Sequence, residues 1–164
     1  MSEKITIRPS EPSDERYLVE WLLKPGILHW FPLHDLREIE DASRLWISYT
    51  KYNAALTALW EGEVVGLSTL YLPIFHKLSS QCLFAIIVHE EFRGKGVGTK
   101  LMTELTKLAR EQFKIELLHL EVYDGNPAIH LYQKMGFVQY GYQPNFVKEE
   151  DGTYRGNIMM QKRL

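Results

Sequence analysis

The chain holds a single cysteine, Cys82, and shows no repeat, no low-complexity stretch and no large surplus of either charge. One cysteine cannot close an internal disulfide, and in an apolar strand it reads as an inert buried thiol, in keeping with a reducing cytoplasm. No run of apolar residues approaches membrane-spanning length. The opening Met-Ser-Glu-Lys-Ile-Thr-Ile-Arg has no apolar leader segment, so neither export nor insertion is expected. Nineteen Lys and Arg stand against twenty-one Asp and Glu, a net charge of −2. No global field therefore draws nucleic acid or anionic membrane, and a positive patch must be local. Two nucleotide signatures are missing as well. A P-loop needs Gly, four residues and Gly-Lys-Ser/Thr, but counting five from Gly94 lands on Thr99. The dinucleotide fingerprint breaks at the same threonine and belongs to a first strand rather than mid-chain.

What is present suits one soluble globular domain over 1–164, with 45% hydrophobic and 24% charged residues. Lys4 to Arg8 alternates as a strand ended by Pro9. A helix follows, capped by Ser13 and carrying Tyr17, Leu18, Trp21 and Leu22, until Pro25-Gly26 stops it. Residues 25–40 read as a long irregular aromatic connection, a binding wall rather than a linker, before a helix with Ala42, Leu45, Trp46 and Tyr49. Ala54–Trp60 and Val64–Leu72 form a hairpin in which Gly62 supplies the positive φ. Cys82–Val88 reads as a central strand covered on both faces. Gly98–Phe113 is an amphipathic helix burying Leu101, Leu105, Leu108 and Ala109. Ile115–Tyr123 is a strand. Asn126 caps a short helix that Pro127 opens and Gly136 ends. Phe137–Val147 and Thr153–Lys162 make a terminal hairpin around Asp151-Gly152. The order is β-α-α-β-β-β-α-β-α-β-β.

The richest stretch is 84–98, an apolar strand running into a glycine-rich basic turn and then a helix. Gly94, Gly96 and Gly98 leave backbone N–H groups unshielded, the helix points its positive end at the turn, and Arg93 and Lys95 add full charges. That is a socket for a phosphate-bearing ligand. Arg93-x-x-Gly96-x-Gly98 resembles the acyl-CoA loop of the GNAT superfamily of N-acetyltransferases. About thirty residues later, Asn126-Pro-Ala-Ile-His-Leu-Tyr-Gln-Lys-Met-Gly-Phe137 resembles its second signature, Asn-x-x-Ala-x-x-Leu-Tyr-x-x-x-Gly-Phe, with one residue fewer between Asn126 and the alanine. The resemblance runs along essentially the whole chain. It implies a single α/β (α+β) domain with a mixed, mostly antiparallel sheet flanked by helices.

The resemblance also implies acetyl-CoA as cosubstrate, no metal, and transfer of the acetyl group to a primary amine of a small molecule or amino acid. Acetylation of a protein N-terminus or lysine, or a non-catalytic acyl-CoA-binding module, are the alternatives. A homodimer is left open. Such transfer needs a held thioester, a neutral amine, support for an oxyanion and a proton for the thiolate. By resemblance the backbone of Ile86, Ile87 and Val88 holds pantetheine, although the same residues read equally as core. Gly94, Lys95, Gly96, Val97, Gly98 and Thr99, with Arg93 beside them and Lys100 farther out, would cradle the pyrophosphate. Tyr132 corresponds to the tyrosine that protonates the leaving thiolate, but Ala128, Leu131, Tyr132 and Met135 also form an apolar helical stripe. Asn126 is a cofactor contact or simply a cap. Glu121 falls near the base position of some members and shares a strand face with His119; a structural role for both, and for His89, stays open. Trp30 and Phe31, with Tyr49, could stack on the substrate. Asp35, Glu38, Glu40 and Asp41 could attract an amine cation or merely favour a helix start.

Overall fold

The computed structural model describes residues 3–164. The elements follow the order read from the sequence: β1 (Ile5–Pro9), α1 (Glu15–Leu22), α2 (Leu36–Ser48), β2 (Ala55–Trp60), β3 (Glu63–Tyr71), β4 (Gln81–Val88), α3 (Val97–Glu111), β5 (Leu117–Tyr123), α4 (Ile129–Lys134), β6 (Val138–Lys148) and β7 (Tyr154–Arg163). The strands form one sheet in the order β1-β2-β3-β4-β5-β7-β6. Every neighbouring pair is antiparallel except β4 and β5. The sheet is therefore mixed and mostly antiparallel, with β4 at its centre, as expected.

Each face of the sheet has its own core. On one side Val97, Leu101, Met102, Leu105 and Ala109 of α3 pack with Tyr132 against Phe84, Leu118, Leu120 and Val122. On the other, Leu18, Trp21, Ile39 and Trp46 of α1 and α2 pack against Leu67 and Ile87. The alternation along β4 and β5 thus sorts side chains cleanly between two faces. Helices on both faces cover the centre, which is why β4 reads as an unbroken apolar run. No helix among the described residues is long and apolar enough to cross a membrane.

Two local expectations change and a third is extended. Ser13 does not cap α1, because it sits in a 3-10 turn (Pro12–Asp14) whose closing group is Asp14. The Asp14 carboxylate accepts from the Glu11 N–H at 2.9 Å, from Thr57 Oγ1 at 2.8 Å and from Arg8 at 2.7 and 2.9 Å. It is 2% exposed, so β1, the turn and β2 meet on one buried carboxylate. Helix α2 starts at Leu36, inside the stretch expected to be irregular, because Asp35 Oδ1 accepts from the Glu38 N–H at 2.9 Å. The earlier start makes Ile39, Ser43, Trp46 and Ile47 the buried face and leaves Leu45 exposed. At the β2–β3 turn Glu61 (φ 46°) shares the left-handed region with Gly62 (φ 89°), the pattern of a hairpin turn matched to the strand twist.

Candidate active site

The parallel pair at the centre of the sheet opens early. β4 and β5 pair only at Gln81–Leu117, Cys82–Leu118 and Leu83–His119, although both strands run on, to Val88 and Tyr123. Beyond Leu83, β4 keeps only β3, from Phe84–Leu70 to Val88–Gly66. The His89 N–H donates to the Val65 carbonyl at 2.8 Å, which fixes the phase of that ladder. Antiparallel pairing alternates, so Ala85 and Ile87 exchange bonds with Thr69 and Leu67 while Phe84, Ile86 and Val88 turn their N–H and C=O groups toward the gap. The Val88 carbonyl accepts from Arg93 Nε at 3.2 Å. Ile86 and Val88 thus present backbone donors at the gap, whereas Ile87 turns its own to β3 and packs against α1 and α2.

At the mouth of the gap stands the start of α3. Gly94 (φ 74°) and Gly96 (φ 90°) hold left-handed conformations, and the first helical bond runs from the Lys100 N–H to the Gly96 carbonyl at 3.1 Å. The N–H groups of Val97, Gly98 and Thr99 accordingly have no carbonyl one turn back and form a donor cluster at the positive end of a fifteen-residue helix. Arg93 and Lys95 are exposed beside it, with Lys95 Nζ 5.0 Å from the Phe92 ring and 5.7 Å from Trp60. Lys100 is tied to Glu3. Gly98 has a second duty. A Cβ there would lie 3.0 Å from Leu131 Cδ2, so the glycine also lets α4 approach the start of α3.

Tyr132 hangs from α4 on this side of the sheet. Its ring meets Phe84, the first residue of β4 past the last β4–β5 pair, edge-on at 6.1 Å, and Phe137 at 6.2 Å. Burial pushes the phenol up to about 12, so it stays protonated at neutral pH. Its hydroxyl bonds no described residue. Asn126 Oδ1 accepts from the Ala128 N–H at 2.9 Å and so closes the turn ahead of α4; contrary to the sequence reading it does not cap the helix, whose N-cap is Ala128, and Pro127 stands outside the helix rather than at its first position.

The opposite face gathers the remaining candidates. Glu121 is exposed on β5, opposite Met159 of β7, and flanked by Leu120 and Val122, which point into the α3 core. His119 lies on the Glu121 side, bonded to Gln81; burial lowers its pKa and the Glu121 carboxylate partly offsets this. Trp30 reaches this face and lies 5.5 Å from the Arg155 guanidinium, which is also 5.0 Å from the Tyr123 ring. Phe31 does not join it; it packs with the α1–α2 core. Tyr49 packs on Tyr71, also away from the gap. Asp35 and Glu38 are engaged at the start of α2, Glu38 accepting from the His34 N–H at 2.6 Å, and Asp41 pairs with Arg44 at 2.8 Å. His89 meets Lys24 at 2.9 Å and Trp21 edge-on at 5.7 Å, a packing role.

Sequence reasoning missed Phe84, Arg155 and Asn157. Arg155 faces Glu149 across the Asp151-Gly152 turn, its Nε donating at 2.9 Å, and also donates to the His29 carbonyl. An acid and a base flanking a hairpin turn were the available signal for that pair. Nothing local marks Asn157, whose place depends on the pairing of β5, β7 and β6.

The Acetyltransferase (GNAT) family matches residues 16–137. The L-amino acid N-acetyltransferase AaaT of Escherichia coli (strain K12) is 31% identical over 83 residues, covering 50% of this chain and 51% of that protein, so the chain spans about half the length of that relative. An N-alpha-acetyltransferase of Sulfurisphaera tokodaii is 34% identical over 116 residues, covering 63% of this chain and 68% of that one. In structure, yncA from Salmonella typhimurium, solved with its cofactor acetyl-CoA, superposes with a TM-score of 0.82 over 99% of this chain and 95% of its own, at 21% identity. A parted central strand pair, a glycine-rich helix start at its mouth and a family match over well more than half of the residues agree: the chain belongs to the GNAT family of acetyltransferases.

Proposed function

We propose that the chain transfers an acetyl group from acetyl-CoA to a primary amine of a small molecule or amino acid, by direct attack while both are bound. The observation that carries this reading is the gap between β4 and β5, whose free backbone edge leads to the donor cluster of Val97, Gly98 and Thr99. An extended amide-bearing arm ending in a pyrophosphate fits that sequence of donors, a strand edge first and a helix end after it.

In this reading Gly94 to Thr99 hold the pyrophosphate and the Ile86 and Val88 backbone holds the pantetheine arm, with the Val88 N–H aimed at the thioester oxygen where charge develops. Ile87 contributes packing. Acetyl-CoA supplies an acyl carbon activated by a thiol leaving group. Glu121, or water beside it, takes the proton from the acceptor ammonium and so frees the nitrogen lone pair. The new bond forms between that nitrogen and the acyl carbon, the carbon–sulfur bond breaks, and Tyr132 Oη donates its proton to the departing sulfur; the second proton that the nitrogen sheds as the amide forms returns to the Tyr132 phenolate through water, while the first leaves from Glu121 to solvent. Glu121 and Tyr132 lie on opposite faces of the sheet, so acceptor and cofactor enter from opposite sides. The Arg155 bridge to His29 and Trp30 closes the acceptor side, which favours a small amine over a peptide in an open groove.

Amide exchange tests the reading. Adding acetyl-CoA should slow exchange at Ile86, Val88 and Val97 to Thr99 by tenfold or more and leave Ile87, already bonded to β3, unchanged. Thiol release with an amine panel then separates an enzyme from a mere binder. Absence of any protection along β4 would refute the gap as the cofactor site.

A further inference from the structure

On the acceptor face β7 carries two side chains with buried polar atoms that find no partner among the described residues. Asn157 is 0% exposed, and neither Oδ1 nor Nδ2 is bonded. Two residues earlier on the same strand face, Arg155 lies against both Trp30 and Tyr123, with Nε and one terminal nitrogen on Glu149. Its other terminal nitrogen, Nη1, is buried and unpaired. Buried polar atoms are almost always satisfied, and an apolar side chain at 157 would fill a core without the desolvation cost. An unpaired guanidinium nitrogen and an unpaired amide nitrogen, two residues apart on one strand face, match a planar anion that accepts two hydrogen bonds.

We propose that Arg155 Nη1 and Asn157 Nδ2 receive the carboxylate of the acceptor, making the acceptor an amine that carries a nearby carboxylate, as an amino acid does, and not a polyamine. The proposal rests on the acetyl-transfer reading above and narrows it. Strand register supports the fit. Asn157 stands opposite Tyr123 and Glu121 opposite Met159, so Glu121 and Asn157 are diagonal neighbours about 7–8 Å apart. An amine facing Glu121 and a carboxylate facing Asn157, two or three bonds apart in one molecule, bridge that interval with side chains reaching from both ends. A polyamine would set a cation against Arg155, and like-charge juxtaposition selects against it. A peptide N-terminus offers a neutral amide where the pair presents a cation.

The test compares L-leucine, L-glutamine and L-phenylalanine with their carboxamides, their decarboxylated amines and spermidine. The acids should exceed all three counterparts in kcat/KM by tenfold or more. Arg155→Gln and Asn157→Leu should each shrink that ratio at least tenfold, chiefly through KM, with acetyl-CoA affinity retained. Arg155→Lys, which keeps the charge and loses the fork, should give an intermediate loss and covers the case in which the other variants fail to fold. Equal use of acid and amide, preference for spermidine, or an unchanged ratio in the folded variants would overturn the proposal. If wild type transfers to no acceptor, titration of the same acids and amides into the enzyme without acetyl-CoA reads the subsite alone. Carboxylate-dependent binding that weakens in Arg155→Lys then upholds the subsite and places the failure in the transfer reading. Binding indifferent to the carboxylate sinks the subsite.

Discussion

The Tyr132 hydroxyl sits in an aromatic cluster without a hydrogen bond to any described residue, an arrangement that contributes nothing to packing which phenylalanine would not. Tyr132→Phe should therefore leave the melting temperature and acetyl-CoA affinity close to wild type and lower kcat by about ten- to a thousandfold, the range of lost general-acid assistance. Full turnover in the variant would return Tyr132 to the core stripe. Both of its readings were visible in the sequence, because one helical face can be apolar and still aim a single hydroxyl. Asp14, by contrast, carried no signal: its partners Arg8 and Thr57 come from β1 and β2, and only tertiary structure unites them. Burial raises the Asp14 pKa, but the Arg8, Glu11 and Thr57 hydrogen bonds outweigh it and the net shift is downward. A depressed carboxylate stabilises the fold fully above its unfolded pKa, about 4, and loses that contribution as pH falls through the lower folded value. Asp14→Asn should be less stable than wild type at pH 7 and flatter below about pH 4, as read by denaturant midpoints across that range.

At the scale of elements, strongly periodic segments were legible and their ends were not. Helix α3 and the hairpins appear where the apolar spacing puts them. The face of α2 shifted because Asp35, an ordinary surface residue in isolation, starts the helix inside the aromatic connection. The glycine-rich turn was legible as a donor cradle, but Gly98 also serves the contact between α3 and α4, which the motif alone does not disclose. That contact predicts an unusual sign. Gly98→Ala should gain helix propensity worth about 1 kcal/mol, offset by crowding of Leu131 at 3.0 Å, so its stability should stay near wild type. In a Leu131→Ala background the crowding is gone, and the same substitution should stabilise by about 1 kcal/mol. Additive effects in the double-mutant cycle would deny the contact. Gly96→Ala should instead destabilise by roughly 1–2 kcal/mol in either background, since φ is 90° and its nearest neighbour, Ile5 Cδ1, is 3.9 Å away.

Across the whole molecule the sheet separates the candidates, with the glycine-rich helix start and Tyr132 on the α3–α4 face and Glu121 with Arg155 and Trp30 on the other. The strand order agrees with the sequence reading, but the parting of β4 from β5 leaves no mark on composition, since Phe84 to Val88 would be equally apolar if fully paired. The Glu121 face was illegible for a similar reason: residues from the α1–α2 connection, β5 and β7 converge there only through long-range topology. That convergence bears on the base. Glu121 is the exposed acid on the proposed acceptor side of β5, whereas His119 is half-buried, bonded to Gln81 and held toward its neutral form. If Glu121 takes the ammonium proton directly, Glu121→Gln should lower kcat/KM tenfold or more at pH 7. Raising the pH should recover much of that loss, because a larger share of acceptor already arrives neutral and needs no base. Acetyl-CoA affinity should not move, since the proposed cofactor path runs along the other face. A Glu121→Gln pH–rate profile that overlays wild type would assign the proton to solvent in the gap, leaving Glu121 as surface charge.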